Sequence, residues 1–304
     1  MPRFFALIAV GVSLVLLLAV LPLTIDRKFA RQHTRIDPRR AGELAISRGA
    51  SWEGVAIRAS DGVTLQAWLF TPRHSNNGRA VVVVHGGTLN RQYMLDRANL
   101  LLKAGYTCLL VDQRGCGDSG GGFTWGMKEP ADIAAWSKWL RTRAQATQVF
   151  GYGVSRGSTT LIQSLALRPP FDGMALECAG AGNIGHPYEF AADQLGISER
   201  WTRMIAWPVI EPSLAWVRYR QGLDLRSVIS GEEAVRGSRV PVLLIQGTND
   251  DTTPLVGAER IRDANPESVR LTLVPGVGHD WFHPVKPAVM TRILQWYEAH
   301  AKSL

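Results

Sequence analysis

After residue 50 the chain alternates short apolar runs rich in β-branched residues with longer stretches in which apolar positions recur at helical spacing. That alternation predicts an α/β fold with a mostly parallel central sheet, because each crossover between parallel strands carries a helix back across the sheet. Strands are predicted at 52–58, 63–70, 79–85, 106–112, 148–153, 173–178, 240–246 and 269–274, about eight in all. Helices are predicted on both faces of the sheet, near 91–104, 129–145, 156–167, 255–263 and 285–301. Asp61-Gly62 supplies the turn that makes the first two strands a hairpin.

Between about 180 and 237 the pattern loosens. No strand is predicted there, and Tyr188, Phe190, Trp201, Trp207, Trp216 and Tyr219 make the segment aromatic. Inserted after a strand, it is expected to form a small helical cap over the C-terminal edge of the sheet, where ligands bind in α/β folds. Peripheral helices whose aromatics belong to the core are the competing reading.

The first forty residues follow a different rule. Phe4–Ile25 holds no charge in 22 residues; at about 1.5 Å per residue it reaches roughly 33 Å as a helix, enough to cross a hydrocarbon core of about 30 Å. This predicts an N-terminal transmembrane anchor at about 4–25 and a basic linker up to residue 40, with a globular domain over 41–304. A cleaved signal peptide competes, but its apolar region usually spans about 7–15 residues and ends in a small-x-small site, whereas this run ends Leu-Pro-Leu-Thr-Ile. Arg3 precedes the run and Arg27, Lys28, Arg31, Arg35, Arg39 and Arg40 follow it. That asymmetry favours a cytoplasmic domain over an exported one whose arginines meet anionic lipid.

Composition narrows the function classes. With 46% hydrophobic and 20% charged residues the chain is neither disordered nor a multispan membrane protein. The net charge of +8 invites a nucleic-acid partner, but residues 1–40 hold seven Lys/Arg against two Asp, and the rest is nearly balanced with no basic stripe among aromatics. No nucleic acid is therefore expected. Three cysteines exclude a disulfide scaffold; Cys108 and Cys178 fall in strands and Cys116 in a loop, all read as non-catalytic. There is no His-Glu-x-x-His and no Cys/His ligand cluster, so neither metal nor cofactor is expected.

The chemistry is carried by the turns. Gly153-Val154-Ser155-Arg156-Gly157 is a G-x-S-x-G between an apolar strand and a helix. A sharp strand-to-helix turn lifts the serine hydroxyl clear above the helix N-terminus, where it can act as a nucleophile. A serine needs a base and the base an orienting acid. Strand 240–246 runs into Asp250 and Asp251, and strand 269–274 into Gly278-His279-Asp280. Ser155, Asp250 and His279 are the candidate triad, with Asp251 and His283 as local substitutes. Gly87 and Arg156 N–H groups are the candidate oxyanion donors, with Thr88 in reserve. His85 is read as a structural turn residue, and the Arg156 side chain as a solvated helix-start arginine ahead of a partner for an acidic substrate group. Trp125, Tyr152, Trp281 and Phe282 are candidates to line an acyl pocket, with core packing as the equal alternative for each.

Two glycine patterns compete as dinucleotide sites. One is the same turn with Glu177 as ribose ligand; the other is Gly115-Cys116-Gly117-Asp118-Ser119-Gly120. The first lies too late in the chain for a first βαβ unit, and the second is followed by Gly121-Gly122-Phe123-Thr124 where a helix should begin.

Taken together these residues resemble the α/β-hydrolase superfamily over about 50–300. Asp112-Gln113-Arg114-Gly115-Cys116-Gly117-Asp118-Ser119 is similar to its D-x-R-G-x-G-x-S loop, whose Asp and Arg are usually structural. His85-Gly86-Gly87-Thr88-Leu89-Asn90-Arg91 is similar to its H-G-x-x-x-N-R turn. Thr124 to Asp132 resembles the T-x-G-x-x-E-x-x-D segment of bacterial serine-aminopeptidase-like hydrolases and membrane-associated thioesterase relatives. The resemblance implies an α/β-hydrolase fold and a serine hydrolase cleaving a carboxylic ester, thioester or amide of a small-molecule or acyl substrate through an acyl-enzyme. An aminopeptidase-like amide hydrolase, a membrane-tethered binding protein on a hydrolase scaffold, and a nicotinamide-dependent oxidoreductase are the alternatives. The Ser-x-Gly-Ser ending of the elbow, where prolyl-oligopeptidase relatives have Ser-x-Gly-Gly, weighs against a peptidase.

Overall fold

The computed structural model describes residues 35–301 except 75, 88 and 181–186. Helix α1 (Pro38–Ser47) leads into the hairpin β1 (Ala50–Arg58) and β2 (Thr64–Pro72). Then follow β3 (Arg79–Val84), α2 (Leu95–Lys103), β4 (Thr107–Val111), α3 (Glu129–Arg143), β5 (Gln148–Val154), α4 (Arg156–Ser164) and β6 (Gly173–Glu177). The second half holds α5 (Pro187–Leu195), α6 (Glu199–Gln221), α7 (Gly231–Val235), β7 (Val242–Gly247), α8 (Leu255–Ala264), β8 (Val269–Val274) and α9 (Pro287–Ala299).

The strands form one eight-stranded sheet in the order β1-β2-β4-β3-β5-β6-β7-β8. β1 and β2 pair antiparallel, β2 lies antiparallel to β4, and every other neighbour pair is parallel. Side chains alternate across a strand, so a strand covered on both faces must be apolar throughout. β3 shows it: Val82 and Val84 join the core under α3, α4, α7 and α8, while Val81 and Val83 join the core under α1, α2 and α9.

All eight predicted strands are present within a few residues. Pro38–Arg40, within the predicted linker, form the first turn of α1, capped by the Asp37 side chain, which accepts from Arg39 N. Ala41 and Ala45 of this helix are buried. Among the described residues no helix is long and apolar enough to cross a membrane; the span predicted at 4–25 lies outside them.

The resemblance motifs build the walls around the C-terminal ends of the parallel strands. Buried Asp112 accepts from the N–H groups of Arg91 (2.7 Å) and Asp118 (2.8 Å) and is salt-bridged to the Arg91 guanidinium. Arg114 grips Asp132 with two bonds of 2.6 and 2.7 Å and reaches Asp61 at 2.9 Å. Burial pushes Asp132 up to about 6, against the pull of Arg114. Buried Glu129 accepts from Thr124 Oγ1 (2.6 Å) and Gly126 N (2.9 Å). Each conspicuous polar residue of these motifs is thus spent on loop geometry.

The 115–120 glycine run closes on itself through Gly115 N donating to Gly120 O (2.9 Å) and leads to no helix before Glu129, so it has no helix N-terminus to offer a pyrophosphate.

Candidate active site

β5 ends at Val154 and α4 begins at Arg156, which leaves Ser155 alone to make the turn, at φ 53° and ψ −121°. A non-glycine residue at positive φ is strained. The strain is held from three sides. Ser155 N donates to the Glu177 carbonyl on β6 at 2.8 Å, and Ser158 Oγ donates to the same oxygen at 2.7 Å. A Cβ at Gly153 would stand 2.7 Å from Ser158 N, and one at Gly157 would stand 2.6 Å from the His85 carbonyl oxygen. Only glycine at both positions lets β5, α4 and β3 approach this closely.

The turn delivers Ser155 Oγ to within 3.0 Å of His279 Nε2. On the other side of the ring, Nδ1 lies 3.0 and 2.9 Å from Asp250 Oδ1 and Oδ2. With Nδ1 donating to the carboxylate, Nε2 carries the lone pair and faces the serine hydroxyl. Asp250 is itself fixed: Oδ1 accepts from Thr252 N (3.0 Å) and Thr253 N (2.8 Å), Oδ2 from Thr253 Oγ1 (2.8 Å) and Gln246 Nε2 (3.1 Å). Burial alone would raise this carboxyl, but the bonds from His279 and Thr253 outweigh it and hold it below the usual range. Gln246 and Thr253 belong to none of the sequence motifs. A signal was there for the former, the one polar side chain in the buried apolar strand β7.

The two local substitutes are placed elsewhere. Asp251 is exposed and accepts from Thr252 Oγ1, and His283 is exposed at the mouth of the cavity. His85 is a structural residue: it is buried, its Nε2 accepts from Gln113 N (3.1 Å), and its Nδ1 therefore donates to Gly86 O (2.7 Å). Burial beside the Arg156 charge pushes its pKa down to about 3, so the ring stays neutral.

A cavity of about 450 Å³ opens over Ser155 and His279, walled by Gly86, Gly87, Leu89, Tyr93, Met94 and Val154 and also by the polar residues Arg97, Thr252 and Asp280. Gly87 is thus beside the serine, and Arg156, as the first residue of α4, carries one of the N–H groups for which the helix has no carbonyl. Thr88 lies outside the described residues. None of the described residues of 187–237 lines this cavity; α5 and α6 pack on each other. A larger cavity of about 730 Å³ between Leu165 and Pro241 holds none of the groups at Ser155.

Several side-chain expectations are corrected. The Arg156 guanidinium is half-buried and does not line the cavity; it stacks 4.0 Å over the Phe123 ring and donates to Cys116 Sγ at 3.0 Å. Tyr152 is not a pocket residue: it is fully buried, donates to Glu177 and accepts from Arg97 Nε at 3.1 Å. Glu177 is equally buried, with Arg97 at 3.9 Å, and burial raises its pKa, so it is no ribose ligand. Trp125 packs against Leu223 and Val217 rather than lining the cavity. Trp281 and Phe282 belong to the turn 279–282, and their side chains are outside the described set.

Cys108, Cys116 and Cys178 are all buried thiols. Among the described residues one group of metal-ligating side chains stands out, Cys178, Asp250 and His279, with ligand atoms within 4.8 Å of one another. An ion there would compete for the His279 Nδ1 that Asp250 already engages.

The profile of the alpha/beta hydrolase family matches residues 81–291, more than two thirds of the chain. The chain belongs to that family. Its similarity to single proteins is more distant. An uncharacterized protein of Mycobacterium tuberculosis is 26% identical over 232 residues, 74% of this chain and 72% of that one. The uncharacterized protein YqkD of Bacillus subtilis is 26% identical over 208 residues, 67% of this chain and 65% of that one. Among solved structures, an esterase of Pyrococcus furiosus superposes with a TM-score of 0.64 at 21% identity, over 88% of this chain and 95% of that one. An acylaminoacyl peptidase of Pyrococcus horikoshii superposes with a TM-score of 0.59 at 18% identity, over 84% of this chain and 42% of that one. These likenesses establish the hydrolase fold.

Proposed function

We propose that this hydrolase is a serine esterase, cleaving a carboxylic ester or thioester through an acyl-enzyme. The observation that carries the reading is the continuous relay from Ser155 Oγ through His279 to Asp250, with contacts of 3.0 and 2.9 Å. Ser155 attacks the acyl carbonyl while His279 Nε2 takes its proton; Asp250 orients the ring and stabilises the imidazolium. The N–H groups of Gly87 and Arg156 face the developing oxyanion. His279 then returns the proton to the leaving alkoxide or thiolate. Water, activated by the same imidazole, hydrolyses the acyl-enzyme. Leu89, Tyr93 and Met94 give the cavity an apolar wall that suits an acyl chain, while Arg97 and Asp280 place charge elsewhere on its lining.

The test is hydrolysis of matched ester, thioester and aminoacyl-amide series of varied chain length, with Ser155→Ala as control. Esters or thioesters should turn over and amides hardly at all, with activity lost in the variant. Preferential cleavage of the amides would instead favour the aminopeptidase-like reading.

A further inference from the structure

Helix α6 is built inside out. Its inward side holds buried Thr202 and Val217, the latter packed with Leu223 and Leu225 against Trp125 and Met127. On a helix lying on a soluble domain the opposite side should be charged. Here Trp201, Met204, Ile205 and Trp207 each keep 57–58% of their surface exposed, and Tyr219 keeps 82%. Positions 201, 204, 205, 208, 212, 215 and 219 recur at three- and four-residue spacing, so they share one side of the 23-residue helix, with Pro208 half-buried among them. Exposed Pro212 and Ala215 continue it, and the charge at its flank, Glu211, four residues from both Trp207 and Ala215, is paired with Arg226. A contiguous apolar patch of this extent marks a contact surface.

The charges say what covers it. Arg200 and Arg203 sit in the first turns and Arg218 and Arg220 in the last, against two acids in the helix. Both acids are paired, Glu199 with Arg203 and Glu211 with Arg226, and Arg218 reaches Asp224 at 3.8 Å, so each end of the helix keeps a smaller net positive charge through Arg200 and Arg220. Two copies of the helix laid face to face, parallel or antiparallel, would bring basic turns onto basic turns. A surface of anionic headgroups over acyl chains would instead meet the arginines at both ends and the Trp, Met and Ile side chains between them. The helix is not apolar enough to cross a membrane, which leaves it lying in the interface plane. Its inner side packs on Trp125 and Met127.

We propose that the outer face of α6 docks on the surface of a bilayer containing anionic lipid. The proposal stands on this face alone and holds whether or not Ser155 proves to be an esterase nucleophile.

The full chain, as Met204→Cys carrying an environment-sensitive NBD fluorophore, is mixed with vesicles of phosphatidylcholine and phosphatidylglycerol doped with spin-labelled lipid. The native cysteines are buried, so the label goes to position 204. Glu267→Cys, exposed just before β8 at the opposite edge of the sheet, is the control. The 204 label should shift to the blue and be quenched several-fold more than the 267 label, and Arg200→Gln with Arg218→Gln should reduce the difference. Equal quenching at both positions overturns the proposal. So does a disulfide forming between 204 cysteines of two copies, which would make a second copy the occupant, and so does quenching at 204 that is unchanged in phosphatidylcholine alone. Circular dichroism checks each variant's fold; if Met204→Cys misfolds, Trp201→Cys takes the same measurement.

Discussion

Both Asp250 carboxylate oxygens lie within 3.0 Å of His279 Nδ1, while Asp251, the next residue, is exposed to solvent. The two acids are adjacent in sequence and opposite in role. Asp250→Asn puts an amide donor where Nδ1 needs an acceptor, which favours the wrong tautomer; kcat should fall by about 10⁴. Asp251→Asn should leave kcat unchanged. Steady-state kinetics on one ester substrate checks both, and comparable losses in the two variants would contradict the assignment.

The elbow makes a prediction about packing. Ala at position 157 would drive its Cβ onto the Val84 and His85 carbonyl oxygens, which are strand and loop backbone and cannot step aside. Gly157→Ala should lower unfolding stability by about 1–3 kcal/mol and abolish activity, because relief requires α4 to move away from β3 and carry Ser155 with it. Denaturant unfolding and turnover, measured on the same preparation, check this. A fully active, equally stable variant would show that the elbow tolerates a Cβ.

His85 gives a pH dependence with a definite sign. Its folded pKa is pushed down to about 3 by burial, from the 6.5 ordinary for an imidazole. Between those values the unfolded chain binds a proton that the folded protein does not. Stability from this group is therefore fully present above pH 6.5 and is lost as the pH falls toward 3, by at most about 1.4 kcal/mol per pH unit. His85→Gln, which can still accept from Gln113 N, should flatten that part of the stability profile. Urea unfolding at several pH values between 4 and 7 checks it; an unchanged slope in the variant would assign the dependence to other groups.

The strands were legible because a parallel strand covered on both faces must be an unbroken apolar run, as in Ala80–Val84. The positions of the candidate residues follow from the same strands: Ser155 and Asp250 stand past the ends of the apolar runs β5 and β7, and His279 past the edge strand β8, whose apolar residues alternate with Arg270 and Thr272. Helix α1 was not legible, since it buries little more than Ala41 and Ala45 and begins within a basic stretch that reads as linker. The fate of Arg156 depends on Phe123, a distant loop residue, and no local pattern encodes that stacking. Tyr152 sits in a strand covered on both faces, so its position beside the motif gave no hint of which core it enters. The cavity wall from Leu89 to Arg97 comes from a loop and the start of α2, where periodicity has nothing to say about direction.

The most direct measurement is covalent. An activated fluorophosphonate should label the folded protein once, on the proteolytic peptide carrying Ser155, with Ser155→Ala unlabelled and His279→Ala labelled far more slowly. A folded protein that hydrolyses esters yet takes no label at Ser155, or takes it on another residue, would contradict the assignment of Ser155 as nucleophile.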